Sequence, residues 1–453
     1  MRVYDSIGVQ VPRILLPKKN LDMTKWAVVA CDQYTSQPDY WKKVDELVGS
    51  FPSTFRIIYP EIYLEEADKE ERIKKIQDSM KKYLNDSLFE EHEAMVYVER
   101  KLRSGKVRRG IVLAFDLEKY DYAKGSQSLI RATEGTILER IPPRMKIREN
   151  AMLESPHIMI LIDDPKKTVI EPVASVLSVS PRLKKLYDFE LMMDSGHLTG
   201  YAIDYASEAK VIAALRMLAS PNVFKKKYGL KDMKDDKPVL LFAMGDGNHS
   251  LATAKAIWEK IKENSGNVEA ELADNPARYA LAEIVNLHDE SLVFEPIHRI
   301  IFSLRVDAEG LLKEMEKYYP GKVSYKACSG FKEMKQQVSQ SNAKLQRIGF
   351  VNENGIGLIE IADASHSLAV GTLQAFLDDF MAKKAAEKID YVHGDEIVQK
   401  LGSEKGNAGF YLPAMAKDEL FKAVILSGVV PRKTFSMGEA DEKRFYMECR
   451  KIR

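Results

Sequence analysis

Residues 238–258 constrain the fold most, because they pass from an apolar run through a glycine-containing loop into an amphipathic segment without a break. The run 238–244 has the length and composition of a buried strand. Apolar residues spaced three and four apart over 251–262 are typical of a helix with one buried face. A strand followed at once by a helix predicts a mixed α and β fold.

Similar patterns recur along the chain. Further predicted strands lie at 94–98, 107–117, 156–162, 278–286 and 292–302. Further predicted helices lie at 65–84 and 208–219. We therefore predict the α+β (mixed α/β) class, with a large mixed sheet in the main domain.

The length of 453 residues allows more than one domain. After residue 302 the patterns alternate over short segments, with helices at 308–318 and 331–340 and strands at 322–328, 347–351 and 357–361. We predict a main mixed α/β domain at 1–302 that carries the functional site. A small α+β subdomain or insertion is predicted at 303–385, and a C-terminal segment at 386–453 that returns to the main domain.

Composition excludes several classes of protein. The charged fraction of 30% is mixed in sign, which excludes disordered and coiled-coil chains. A net charge of +1 does not favour nucleic acid as a partner. The sequence has no apolar stretch typical of a signal peptide or membrane span, and Cys31, Cys328 and Cys449 form no disulfide or zinc pattern. We expect a cytoplasmic protein without a membrane partner.

The loop after the run 238–244 holds the first candidate site. It consists of Gly245, Asp246, Gly247, Asn248, His249 and Ser250. The free N–H groups and the dipole at a helix start attract anions, and glycine lets a ligand approach the backbone. Asp246 and His249 supply a metal ligand or a proton-transfer group, and Ser250 is the predicted N-cap. The alternative is a structural turn whose polar residues only cap the helix.

Two further clusters carry candidate side chains. Arg131, Glu134 and Thr136 combine a phosphate ligand with a carboxylate base, although an exposed ion pair explains the same spacing. His298 and Arg299 place a proton-transfer group beside a fork of donors, although a structural histidine explains this segment as well.

Taken in order, these segments resemble a conserved bacterial and archaeal domain-of-unknown-function family. Its members carry His-Glu-x-Thr, Asp-Gly-His-His-Arg and Pro-Thr-His-Arg motifs, and a Tyr-Thr-His segment with a later Pro-Lys-Ser/Thr stretch. Here Glu134 and Thr136 match the first motif, Asp246, Gly247 and His249 the second, Pro296, His298 and Arg299 the third, and Tyr391, His393, Pro431, Lys433 and Thr434 the last. The resemblance covers nearly the whole chain.

The Asp-Gly-His-His-Arg motif is also similar to that of the free serine kinase SerK, of the ParB and sulfiredoxin superfamily. The similarity implies a ParB/sulfiredoxin-like part of the main domain and phosphotransfer from ATP or ADP, with Mg²⁺, to a small hydroxyl metabolite. In that role Glu134, Asp246 and His249 would be catalytic, with Asp246 also the Mg²⁺ ligand. Phosphate and substrate would be bound by Arg131, Thr136, Gly245, Gly247, Asn248, Ser250, His298 and Arg299.

The chain departs from these motifs at three places. Asn248 replaces the first histidine of the second motif, Ser250 replaces its arginine, and 132–133 lack the histidine expected before Glu134. Loss of the arginine removes a charged phosphate clamp. A non-catalytic protein that binds a nucleotide or metabolite therefore remains an alternative, as does a metal-assisted hydrolase built from Asp246, His249 and His298. The expected partners are a nucleotide and a small-molecule substrate.

Overall fold

The computed structural model describes residues 1–179, 182–230, 237–266, 272 and 274–453. Contacts divide the chain into two compact units. The first unit comprises Met1–Leu292 and Gly438–Arg453, so the last segment of the chain returns to it. The second unit comprises Val293–Met437.

The first unit contains the following helices and strands among its described residues. The helices are α1 (Met23–Trp26), α2 (Pro38–Val48), α3 (Lys69–Asn85), α4 (Ile141–Arg148), α5 (Glu171–Val179), α6 (Tyr205–Leu218), α7 (Pro221–Tyr228) and α8 (Asn248–Asn264). The strands are β1 (Val3–Tyr4), β2 (Val9–Gln10), β3 (Arg13–Pro17), β4 (Val28–Val29), β5 (Phe89–Glu93), β6 (Val96–Lys101), β7 (Val107–Asp116), β8 (Tyr120–Asp121), β9 (Ile130–Arg131), β10 (Leu153–Glu154), β11 (Met159–Ile162), β12 (Lys184–Glu190), β13 (His197–Ala202), β14 (Phe242–Asp246) and β15 (Tyr279–Asn286). The C-terminal segment adds β24 (Phe445–Tyr446) and β25 (Arg450–Lys451).

A large mixed sheet forms the centre of this unit. Its strands follow the order β12-β13-β6-β7-β15-β11-β14-β9-β8, and β2 pairs with β7 and β1. The pairs β11–β15, β14–β9 and β8–β9 are parallel, and the other pairs are antiparallel. The predicted α+β class with a large mixed sheet is therefore confirmed.

Both faces of this sheet are buried. Tyr97 and Leu113 belong to the core that contains α8, whereas their neighbours Val96, Val98 and Val112 belong to the core that contains α2 and α3. Alternate side chains of a strand point to opposite faces, so both faces need apolar residues. This explains the apolar runs at 96–98 in β6 and 111–115 in β7.

The helix predicted at 65–84 is confirmed as α3. Ile73, Ile76, Met80 and Tyr83 are its buried residues, as their spacing indicates. No helix of the described residues is both long and apolar enough to cross a membrane.

The second unit has its own helices and strands. The strands are β16 (Phe294–Pro296), β17 (His298–Phe302), β18 (Val323–Ala327), β19 (Leu345–Asn352), β20 (Gly355–Ala362), β21 (Lys388–Val392), β22 (Ala408–Tyr411) and β23 (Phe435–Met437). The helices are α9 (Ala308–Tyr318), α10 (Phe331–Val338), α11 (Ala369–Ala382), α12 (Asp395–Gly402) and α13 (Lys417–Ser427).

These strands form an antiparallel sheet in the order β18-β20-β19-β22-β17-β21. One core contains α9 and α11, and another contains α10 and α12. The unit boundaries differ from the predicted 303–385 because β17 pairs with β21 and β22, which places 293–302 and 386–437 in the same unit. Strand pairing over such distances is not visible in local patterns.

A buried arginine joins the C-terminal segment to the central sheet of the first unit. Arg444 donates from Nε to Glu283 Oε2 on β15 (2.8 Å) and from Nη2 to Glu448 Oε2 (2.7 Å). Its Nη1 donates to the carbonyl oxygen of Pro156 (2.6 Å). The side chains of Arg444 and Glu283 are only 4% and 3% exposed, so each charge needs the other.

We expect Arg444→Met to destabilise the first unit by about 3–5 kcal/mol, because two buried carboxylates lose their cation. The matched control is Arg13→Met, whose side chain is 55% exposed beside Glu91 and Glu93. That variant should change stability by less than about 1 kcal/mol. Urea unfolding measures both, and equal effects would show that the Arg444 network contributes little.

Candidate functional site

Three chain segments meet at one edge of the central sheet. β9 runs parallel to β14, so the residues after both strands lie at the same edge. Thr133 Oγ1 donates to the carbonyl oxygen of Met244 (2.8 Å), which fixes the segment just before Glu134 against β14. β11 runs antiparallel to β14 with Met159 opposite Asp246, so His157 also lies at this edge.

Helix α8 begins directly after β14 with unpaired N–H groups. Gly247 is its N-cap with φ +78°, and the helix has no side-chain cap bond. Among the described residues, no hydrogen bond reaches the N–H groups of Asn248, His249 or Ser250. The predicted N-cap role of Ser250 is wrong, because the helix begins earlier and Ser250 is its third residue. Three free N–H groups and the helix dipole favour a bound anion here.

A side chain at Gly247 would be tightly packed against its neighbours. A Cβ at this position would lie 3.1 Å from Ile158 Cα and 3.4 Å from His157 Nε2. The left-handed φ also disfavours every side chain. Gly245, by contrast, is an ordinary strand residue of β14.

Among the described residues, three buried polar atoms of the predicted site residues have no hydrogen-bond partner. They are Asn248 Oδ1, His249 Nε2 and Thr136 Oγ1. Buried polar atoms are normally hydrogen-bonded, so a group outside the protein is a reasonable partner for them. Burial lowers the pKa of His249 to about 4, and the charges of Arg144 and Arg140 act in the same direction, so this imidazole is neutral at pH 7.

Asp246 is ionised and paired. Its Oδ2 lies 3.2 Å from Lys443 Nζ, and its Oδ1 accepts the N–H of Gly247 (2.9 Å). Burial alone would raise the pKa of this carboxyl, but Lys443 and the Gly247 hydrogen bond keep it below its ordinary value. The carboxylate therefore stabilises the Gly247 turn and retains lone pairs for a further ligand.

His157 faces the start of α8 from the other side. Its Nδ1 is 2.7 Å from the Tyr446 hydroxyl, and that hydroxyl accepts the N–H of Cys31 (3.2 Å). Either atom of the pair formed by the Tyr446 hydroxyl and His157 Nδ1 can be the donor, because the direction depends on the histidine tautomer. His157 Nε2 lies 3.4 Å from Ser250 Oγ and 4.0 Å from Asp32 Oδ2.

A pocket with a volume of about 150 Å³ adjoins this group. Its polar end is formed by Cys31, His157, Ser250, Thr253 and Tyr446. The rest of its wall combines apolar residues with Glu61, Arg144, Arg148 and Glu154. Ser250 is the predicted site residue that lines it; the other predicted residues of the described chain lie outside its wall. A pocket with one polar end suits a small organic ligand that carries a polar group.

Arg131 is bonded within its own strands. Its Nε donates to Ser128 O (2.7 Å) and its Nη2 to Pro238 O (2.9 Å) and Val239 O (3.3 Å). These contacts give it a structural role in joining β9 to the segment before β14. Phosphate binding by Arg131 stays a prediction.

His298 and Arg299 belong to the second unit. His298 Nδ1 accepts the N–H of Leu412 (3.1 Å), and its ring stacks on Tyr411 with centroids 4.3 Å apart. Arg299 donates from Nε to Gln374 Oε1 (3.2 Å), and it also donates to the Ile297 and Arg432 carbonyls. The structure thus matches the structural alternative for this pair, and a shared site with Asp246 stays a prediction.

Sequence reasoning missed His157, Lys443 and Tyr446. Tyr446 and His157 are separated by 289 residues, so no local pattern relates them. For His157 the one available signal was its position directly before the apolar strand 158–162. Among the described residues no group of three His, Cys, Asp or Glu side chains is arranged to hold a metal ion.

A comparison with models of known protein families shows which family the chain belongs to. A family model described as "Protein of unknown function (DUF1015)" matches residues 15–380. The chain belongs to this family. The predicted membership of a domain-of-unknown-function family is therefore confirmed, and no curated protein matches the chain.

Solved structures show weaker likenesses. A free serine kinase in complex with AMP is 10% identical, with 77% of this chain and 93% of that chain covered and a TM-score of 0.37. A conserved hypothetical protein from Pyrococcus furiosus is 12% identical (77% and 97% covered, TM-score 0.35). C-terminally truncated SbnI from Staphylococcus aureus is 7% identical (72% and 82% covered, TM-score 0.33). At these TM-scores the likenesses assign no activity to this chain.

We expect three histidines to titrate differently. His249 and His298 should have midpoints near pH 4, because burial lowers both pKa values. For His197, burial lowers the pKa, but the hydrogen bonds that its ring makes to the Asp188 and Glu190 carboxylates raise it by more. Its titration midpoint should therefore lie above pH 6.5. Histidine Cε1–H NMR signals followed against pH measure all three.

The sign of the stability effect follows from these shifts. Between about pH 4 and 6.5 the unfolded chain binds more protons at His249 than the folded chain, so stability falls as the pH falls through this window. A His249 midpoint at or above 6.5 would contradict the burial of this imidazole.

Proposed function

We propose that the chain is a nucleotide-dependent phosphotransferase that acts on a small metabolite with a hydroxyl group. The observation that carries the proposal is the start of α8, where three unpaired N–H groups follow the left-handed Gly247 beside an open pocket. Helix starts of this kind bind phosphate groups. Ser250 Oγ and His157 Nε2, which lie 3.4 Å apart, add two polar groups at the same place.

In this proposal the segment Gly245 to Ser250 binds the phosphates of ATP or ADP. Because Ser250 replaces the motif arginine, the backbone N–H groups supply most of the binding. Asn248 and His249, whose buried Oδ1 and Nε2 have no partner, contact the nucleotide or substrate. Arg131, His298 and Arg299 are not needed for this arrangement.

The residues fit a Mg²⁺ ion that arrives with the nucleotide. Such an ion usually takes one or two carboxylates together with water and phosphate oxygens. Asp246 offers one ionised carboxylate, already fixed by Lys443 and Gly247. A bound Mg²⁺ would neutralise charge on the phosphate oxygens. The absence of a three-ligand group among the described side chains gives the metal-assisted hydrolase no support.

Glu134 accepts the proton in the transfer step. The acceptor hydroxyl oxygen forms the new bond to phosphorus, the bond from phosphorus to the nucleotide oxygen breaks, and the hydroxyl proton passes to the Glu134 carboxylate. This role is supported by Thr133, the neighbour of Glu134, whose hydroxyl donates to the carbonyl oxygen of Met244 on β14.

We expect Gly247→Val to abolish ADP binding, because a β-branched side chain meets Ile158 and cannot adopt the left-handed φ. Ser250→Ala should weaken binding by roughly 0.5–1.5 kcal/mol, the value of one neutral hydrogen bond. Ser250→Arg should strengthen it, since a guanidinium adds a charged fork. Calorimetric titration of ADP measures all three.

The controls for this series are the melting profile of each variant and the milder Gly247→Ala, which keeps the strain but adds less bulk. ADP binding by folded Gly247→Val equal to that of the parent would make the loop a structural turn and remove the phosphate site.

We expect Glu134→Gln to leave ADP binding intact and to lower phosphoryl transfer by about 10²-fold or more, the usual effect of losing a general base. Turnover is measured by following transfer from labelled ATP to a panel of hydroxy acids, amino acids and sugars. An active parent whose rate does not change with this substitution would exclude Glu134 from the mechanism.

A second function is a non-catalytic nucleotide- or metabolite-binding protein. The observation that favours it is that two of the cations near α8 are already paired, Lys443 with Asp246 and Arg144 with Glu61. Tight ADP binding without transfer to any acceptor of the panel would support this function over the first.

A further inference from the structure

Helix α4 brings two arginines to the wall of the pocket, and they differ in their pairing. Arg144 uses all three of its nitrogens, on the Glu61 carboxylate and on the Arg140 carbonyl. Arg148 uses Nη2 alone, on Glu154. Among the described residues its Nε and Nη1 donate no hydrogen bond, and its side chain is 20% exposed.

The carboxylate that faces Arg148 is already neutralised. Glu154 Oε1 accepts Nε–H of Arg450 (2.8 Å) and the N–H of Leu281 (2.9 Å). Glu154 therefore shares one negative charge between two guanidinium groups, which leaves about one positive charge in excess at Arg148. The other carboxylate of the pocket wall, Glu61, is paired with Arg144.

Apart from the pairs Arg144–Glu61 and Arg148–Glu154, much of the pocket wall is apolar. Its apolar residues include Ile57, Ile58, Leu64, Met80, Ile147 and Leu153. An apolar wall binds hydrocarbon and excludes water, so a charged group of the ligand must be paired. One excess positive charge matches a monoanion, and a dianionic phosphate ester would leave one charge unpaired.

We propose that this pocket binds a small carboxylic acid with an aliphatic or aromatic body, whose carboxylate pairs with Arg148 and whose body packs on the apolar wall. Its hydroxyl group lies toward the polar end, near His157 and Ser250. This acid is the phosphoryl acceptor, an assignment that rests on the proposed function. The hydroxyl oxygen gains the bond to phosphorus as described above.

The test uses 2-hydroxy-4-methylpentanoate, its methyl ester and lactate, titrated calorimetrically into the full chain. The methyl ester lacks the carboxylate charge, and lactate lacks the branched hydrocarbon chain. Both should therefore bind at least tenfold more weakly than 2-hydroxy-4-methylpentanoate. Arg148→Gln should lower affinity for the acid tenfold or more, and Arg148→Lys should lose less. Lys146→Gln is the matched control, since Lys146 lies on the same helix, is exposed and is outside the pocket wall.

Arg148→Gln is expected to fold, because Glu154 keeps its bonds to Arg450 and Leu281. Absence of binding by the parent, equal binding of acid and ester, or unchanged affinity in Arg148→Gln would each overturn the proposal. Arg148→Gln separates the two proposals: it should lose affinity for the acid and keep affinity for ADP. Arg148-dependent binding of the acid without phosphoryl transfer would support the acid site and contradict the proposed phosphotransferase. Phosphoryl transfer to other acceptors without binding of the acid would support the phosphotransferase and contradict the acid site.

Discussion

The candidate site depends on one buried cation, Arg444. Its guanidinium bonds to Glu283 on β15, to Glu448 and to the carbonyl oxygen just before His157. Its neighbours in the sequence, Lys443 and Tyr446, are the partners of Asp246 and His157. The same interaction that anchors the C-terminal segment therefore positions the side chains of Lys443, Tyr446 and His157 around the start of α8.

The local part of the site follows from the sequence. The apolar run, the two glycines and the helical spacing predict a strand, a loop and a helix in that order, and the structure has β14, Gly247 and α8. The N-cap was misassigned to Ser250 because the spacing of apolar residues marks the buried face from Leu251 onward, and the first turn precedes that face. Helix starts are set by backbone geometry that such spacing does not record.

The long-range part does not follow from the sequence. Lys443 and Tyr446 reach the site only through the pairing of β24 and the buried charges around Arg444. Likewise, the second unit joins segments before 303 and after 385 because β17 pairs with β21 and β22. The sequence pattern of a strand shows that it must pair with another strand. Which strand it pairs with depends on the fold of the whole unit.

Two cations near α8 are already paired, Lys443 with Asp246 and Arg144 with Glu61, and His249 is neutral. In the proposed function an anion at the helix start is therefore held chiefly by backbone dipoles. Arg148, in the pocket wall, has further donors among the described residues. The two proposals thus assign a phosphate and a monoanion to different parts of the site.

The most direct test of this account is a crystal structure of the protein with ADP and Mg²⁺. The account predicts phosphate oxygens within hydrogen-bond distance of the N–H groups of Asn248, His249 and Ser250, with Gly247 in its left-handed conformation. Phosphates bound elsewhere on the chain, with these N–H groups occupied only by water, would contradict it.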